Sequence, residues 1–129
     1  MGLFNIRKKI QVAQVQIVTL GNGPIDLSGA AASKYWHSER ACEIRKATIV
    51  YSEASSADAG INVKIGKEAD DDYYVAAVAT EVSKSQWYSK NLTLLKTDVA
   101  AGDTIIFNSA GGKTGTGEIL VVLEIVTLR

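Results

Sequence analysis

His37 and Cys42 are the only residues of their types in the chain, so a thiol nucleophile with an imidazole base would have to be built from this pair. A spacing of five residues matches no recognised nucleophile and base pattern, and a lone cysteine ordinarily packs as a small hydrophobe. A serine triad would need His37 with remote Ser and Asp partners, and no Gly-x-Ser-x-Gly elbow is present. One His and one Cys cannot close a tetrahedral zinc site without carboxylates. No catalytic residue, no bound metal and no small-molecule substrate is expected from these groups.

Two further stretches invite chemistry. Gly112-Lys113-Thr114 has the look of a phosphate loop, in which backbone amides surround a phosphate and the lysine reaches its oxygens. The first glycine of that motif falls on Phe107, and a strand follows where the motif demands a helix. A flexible connection between strands is the better reading, with no nucleotide cofactor. Glu68, Asp70, Asp71 and Asp72 offer hard oxygens of the kind calcium takes in sets of six to eight. Consecutive side chains in an extended run point to opposite sides, so a solvated hairpin tip is expected, and calcium stays the alternative. The aromatic residues Tyr35, Trp36, Trp87 and Tyr88 admit three roles: sealing the ends of a core, anchoring a protein contact, or stacking on sugars.

Composition narrows the partners. With 14 basic and 14 acidic residues the formal charge is zero, which gives no general attraction to phosphate backbones or anionic membranes. The longest basic run is Arg7-Lys8-Lys9. Nucleic acid and membrane are therefore unlikely partners on charge alone. The single cysteine excludes an intrachain disulfide, no apolar run reaches a membrane span, and residues 1–9 lack the order of a signal peptide, so a cytoplasmic origin is expected. Hydrophobic residues at 47% and 129 residues in all suit one core.

The elements that would position these groups are strands. Ile119, Val121, Leu123 and Ile125 share one face of a long C-terminal run, with Glu118, Leu120, Val122, Glu124 and Val126 on the other, as a central strand requires. Residues 103–109 and this run, with the glycine-rich stretch 110–117 between them, read as an antiparallel hairpin. Ile61, Val63 and Ile65 alternate with Asn62 and Lys64, and this run pairs with residues 73–80 across a polar turn in a second hairpin. Ala47, Ile49 and Tyr51 lie on one face of another strand. Residues 10–20 fit a strand with a bulge or bend, and 26–33 a surface connection after Gly21-Asn22-Gly23-Pro24. Residues 33–41 show no clean period and fit an irregular crossover or a helical turn; 81–88 fit a short helix or wide loop before a strand at Leu92–Leu95. About seven or eight short strands and almost no helical period predict an all-β, antiparallel β-sandwich over residues 10–129, with residues 1–9 as an extended N-terminal arm.

From Arg45 onward the chain resembles the small jelly-roll cement or decoration proteins of tailed bacteriophages. The residues that carry the resemblance are Lys46-Ala-Thr-Ile-Val-Tyr-Ser, Ala57-Asp-Ala-Gly-Ile-Asn-Val-Lys-Ile-Gly, Asp72-Tyr-Tyr-Val-Ala, and Ala101-Gly-Asp-Thr-Ile-Ile-Phe-Asn-Ser-Ala-Gly-Gly-Lys-Thr-Gly-Thr-Gly-Glu. It implies a non-enzymatic homotrimer on the capsid surface of a virion assembled in the host cytoplasm, bound to the major capsid protein or another virion protein. The expected contact residues are Leu3, Phe4, Ile6, Arg7, Lys8 and Lys9 of the arm, which can add a strand to a neighbouring sheet, together with Trp36, Trp87 and Tyr88. A tail or fibre component, or a carbohydrate-binding β-sandwich, is the alternative.

Overall fold

The computed structural model describes residues 14–21 and 23–127. These hold ten strands: β1 (Gln14–Thr19), β2 (Ile25–Asp26), β3 (Ala32–His37), β4 (Cys42–Glu53), β5 (Asn62–Lys67), β6 (Asp70–Ala79), β7 (Ser89–Asn91), β8 (Asp98–Val99), β9 (Thr104–Ser109) and β10 (Glu118–Thr127). The arm residues Leu3, Phe4, Ile6, Arg7, Lys8 and Lys9 lie outside the described part.

The strands form two antiparallel sheets, β1-β10-β4-β7 with β2 and β8 at its margins, and β3-β9-β5-β6. Setting aside the two-residue strands β2 and β8, the first strand pairs with the last, the second with the seventh, the third with the sixth, and the fourth with the fifth. That is the winding of a jelly roll, a long ribbon folded across itself. The all-β sandwich expected from the sequence is therefore the architecture found.

Inward residues of both sheets meet in one core. From the first sheet come Val18, Ile44, Ala47, Ile49, Tyr51, Ile119, Val121, Leu123 and Ile125, and from the second Val63, Ile65, Tyr74, Ile105 and Phe107. The period-two faces read from β4, β5 and β10 are the buried ones. β10 runs between β1 and β4, as a central strand. Ile44 and Ala47 both face inward despite their odd spacing because the register against β10 shifts between Glu124 and Ile125, leaving Arg45 as an extra residue.

Several local expectations are corrected. The stretch 103–128 is no hairpin: β9 pairs with β3 and β5, β10 with β1 and β4, so the glycine-rich stretch crosses from one sheet to the other. Each of the two strands is flanked on both sides by strands from elsewhere in the chain, and Phe107 and Leu123 are buried where the two sheets face each other. That loop is also held firmly. Gly112 N–H donates to the Gly29 carbonyl at 2.7 Å, Lys113 N–H to Leu27 at 2.9 Å, and Leu27 N–H to Gly117 at 2.9 Å, while Gly111, Gly112, Gly115 and Gly117 take positive φ, open to glycine without strain. Residues 26–33 are not wholly a surface connection, since Leu27 is fully buried under the loop.

Residues 33–41 hold strand β3 rather than a crossover or helical turn; its inward residues are Ala32, Lys34 and Trp36, and the charged stem of Lys34 hides the alternation. Strand β1 pairs with β10 without a register shift, so no bulge occurs over Gln14–Thr19; Val15 and Ile17 break the phase because they are apolar residues on the outer face. Residues 92–95 are no strand. They pass over one side of the sandwich, with Leu92 N–H on Ala47 of the first sheet and Leu95 N–H on Tyr74 of the second. The β5–β6 hairpin stands as expected.

Phe107 is wholly buried at the centre of β9, and replacing it by Ala should destabilise the domain by about 3–5 kcal/mol, read as a lower urea midpoint at unchanged slope.

Candidate interaction surface

The residues singled out for contact fall on different edges. Trp36 sits on β3, half-buried, and lines a cleft of about 440 Å³ together with Gln14 and Gln16 of β1 and with Glu39 and Arg40. Trp87 and Tyr88 belong to the loop between β6 and β7, which packs on Tyr51 of β4 and on Ser55 just beyond its end. The structure brings Trp87 and Tyr88 together and leaves Trp36 apart.

Loop 81–88 is a wide loop without helix, built on a dense set of hydrogen bonds. Tyr51 N–H donates to the Tyr88 carbonyl at 2.9 Å, and Trp87 N–H donates to the Tyr51 carbonyl at 2.6 Å. Glu81 N–H donates to the Tyr51 hydroxyl at 2.8 Å, Lys84 N–H to Ser55 Oγ at 2.9 Å, and Gln86 Nε2 to the Ser52 carbonyl at 3.0 Å. Trp87 itself adopts φ +71°, a left-handed conformation that a bulky residue holds only where its surroundings over-determine it. Its ring is 64% exposed. The backbone thus spends strain to hold a large apolar side chain in solvent.

Beneath it, the Glu81 carboxylate accepts from Lys90 Nζ at 2.6 Å and from the Tyr88 hydroxyl at 2.8 Å, with Lys84 Nζ at 3.5 Å. These donors, Lys90 foremost, hold the Glu81 carboxyl down at about 2, and the carboxylate in return pushes the Tyr88 hydroxyl and the Lys90 ammonium upward. The Tyr88 ring stacks at 5.8 Å from Tyr51 and lies 4.6 Å under the Lys84 ammonium. Tyr88 therefore supports the loop, while Trp87 is displayed.

The groups weighed for chemistry do not converge. His37 Nδ1 lies 3.1 Å from Thr104 Oγ1, and Cys42 is buried with its Sγ 3.5 Å from Ser38 Oγ. Lys113 is only 4% exposed, and its ammonium donates to the Asp58 carbonyl at 2.7 Å and sits 3.5 Å from those of Ser56 and Ala59. It ties the glycine-rich crossover to the 54–60 segment and points away from any phosphate in solvent. Asp70, Asp71 and Asp72 bring one carboxylate oxygen each to within 4.8 Å of one another beside the two-residue turn Glu68–Ala69. A shared hydrogen bond with Asp70 raises the Asp72 carboxyl, and Lys64 Nζ neutralises Asp71 at 2.7 Å. The trio is exposed at a hairpin tip.

Val15, Ile17 and Leu95 are exposed apolar residues not weighed for contact from the sequence, and Tyr35, weighed with the other aromatics, is exposed as well. For the first two a signal existed, because residues 15 and 17 are apolar in the opposite phase to Val18 and Leu20.

The fold is that of an antiparallel β-sandwich of jelly-roll winding. No family model matches the chain and no curated protein matches it. Among solved structures it is similar to a chain described as "Cyanophage Pam1 capsid asymmetric unit", with a TM-score of 0.54 and 14% sequence identity, over 88% of this chain and 85% of that one. At that identity the likeness is one of fold.

Glu81 supplies a pH test. Its folded value lies below the ordinary 4.5, at about 2, so the stabilisation is present above about pH 4.5 and is lost as pH falls toward 2. Trp87 emission should shift over that interval as the loop loosens, and Glu81→Gln should show the loosened spectrum already at neutral pH.

Proposed function

We propose that the protein is a non-enzymatic structural component of a bacteriophage virion, a cement or decoration protein that sits on the capsid surface as a homo-oligomer, a homotrimer by the family resemblance. Its partner is the major capsid protein or another virion protein. The observation that carries this reading is the shared fold with a chain of a phage capsid asymmetric unit, in which each chain covers most of the other. The match spans nearly the whole sandwich rather than one sheet or hairpin of it. Display of Trp87 at φ +71° supports a contact role for the 81–88 loop, since exposed aromatics held rigid make anchors at low entropic cost.

In this account the arm residues 1–9 lay an extended segment on a neighbouring sheet edge, gaining main-chain hydrogen bonds while Leu3, Phe4 and Ile6 fill apolar pockets. Arg7, Lys8 and Lys9 steer the approach. Cys42 and Lys113, each buried against a separate partner, and His37, exposed beside Thr104, fit a structural role. A second reading, carbohydrate binding through Trp87, rests on the same exposed ring.

Incubation with empty capsids of the parent phage tests the proposal. The protein should co-sediment at saturating stoichiometry and raise the temperature at which the shells open. Deletion of residues 1–9 should abolish binding at an unchanged far-UV spectrum, and Trp87→Ala should weaken it by about tenfold or more, as an anchor worth at least 1.4 kcal/mol requires. Absence of co-sedimentation by the full chain overturns the capsid reading. A shift of Trp87 emission on addition of sugars, with no capsid binding, would favour the carbohydrate module.

A further inference from the structure

A sheet edge presents a row of unpaired N–H and C=O groups, and stable monomers guard such edges with short strands, inward charges, bulges or covering segments. Three of the four edges of this sandwich are guarded. At the β7 side of the first sheet the margin is made of β7 and β8, three and two residues long. In the second sheet, β6 opens with Asp70, Asp71 and Asp72 and has the Leu95 N–H on its Tyr74 carbonyl at 2.8 Å. Strand β3 carries Lys34 on its inward face, a charge that a strand added alongside would have to bury.

Strand β1 has none of these devices. Gln14-Val15-Gln16-Ile17-Val18-Thr19 contains no charge and no proline, runs six residues in unbroken register with β10, and pairs with no other strand among the described residues. On its outer face Val15 is 49% and Ile17 64% exposed, and on its inward face Gln14 and Gln16 line the cleft beside β3.

We propose that β1 is a contact between two copies of this chain, in which β1 pairs antiparallel with β1 of a second copy and the first sheet runs on across a two-fold axis. The strand is its own best complement. Centred on Gln16, antiparallel self-pairing sets Val15 opposite Ile17 of the second copy on the outer face, covering both exposed side chains. It sets the two Gln16 amides opposite each other on the inner face, where each donates to and accepts from its mate. No charge meets a like charge anywhere along the pairing. The contact is isologous, so it joins copies in pairs; it stands independently of the capsid reading and adds to any threefold contact within the same particle.

Sedimentation velocity of the full chain over micromolar concentrations tests the pairing. The wild type should run at twice the mass of Ile17→Lys, whatever the state of that variant, with matching far-UV spectra because position 17 is exposed. Gln16→Lys, which sets two ammonium groups face to face at the axis, should halve the mass likewise. Cα atoms of directly opposed residues in antiparallel strands lie about 4.5–5.5 Å apart, within disulfide reach, so Gln16→Cys should cross-link on oxidation while Gln14→Cys, which faces Val18 of the second copy, should not. Equal masses for wild type and Ile17→Lys would overturn the pairing, including the case in which residues 1–13 of the same chain cover the edge. Equal cross-linking at positions 14 and 16 would overturn the register.

Discussion

The whole sandwich depends on the beginning of the described chain pairing with its end. Six residues of β1 lie against β10 in unbroken register, and inside that pairing the remaining strands follow as a folded ribbon, with the β5–β6 hairpin at its far tip. Burial drives the arrangement. β9 and β10 each carry an apolar inner row, Ile105 and Phe107 on one, Ile119 through Ile125 on the other. Stacked in facing sheets these rows cover each other. Side by side in one sheet they would need strands from elsewhere in the chain to cover them.

Because the ribbon folds over, its connections must cross from sheet to sheet, and each crossing is secured by its own chemistry. Glycine 111, 112, 115 and 117 let the 110–117 crossing fold back on Leu27 and Gly29, and the buried Lys113 ammonium gathers the carbonyls of a neighbouring loop. The 81–88 connection is held differently, through Tyr51 and the ionised Glu81 with Lys90 and Tyr88. A loop with that many fixed points carries two left-handed residues at little risk to the rest, Ser83 and the exposed Trp87.

Surfaces left over by this arrangement are uneven. Charges or short strands shield most of the sheet margins, whereas β1 leaves Val15 and Ile17 exposed on an edge that no other described strand pairs with. Such an edge suits the contact role proposed above, and a neutral chain relies on shape and main-chain pairing more than on long-range attraction.

What the amino-acid sequence by itself determined was the class of fold and the inward faces: period two along β4, β5 and β10 is a local property, visible wherever one face of a strand is buried and written in Ala47, Val63 and Leu123. The β5–β6 hairpin was legible for the same reason, since its two runs are joined by a short polar turn. Pairing between distant strands was decided only in three dimensions. Nothing local in residues 103–128 distinguishes a hairpin from two strands in facing sheets, because the same alternation serves both. Strand β3 was hidden by Lys34, whose alkyl stem packs inward at Gly21 while its charge breaks the pattern. The convergence of Tyr51, Glu81, Tyr88 and Lys90 behind Trp87, and the bare flank of β1, likewise arise from partners far apart in the chain, and strand order, which sets those partners, is a property of the packed core as a whole.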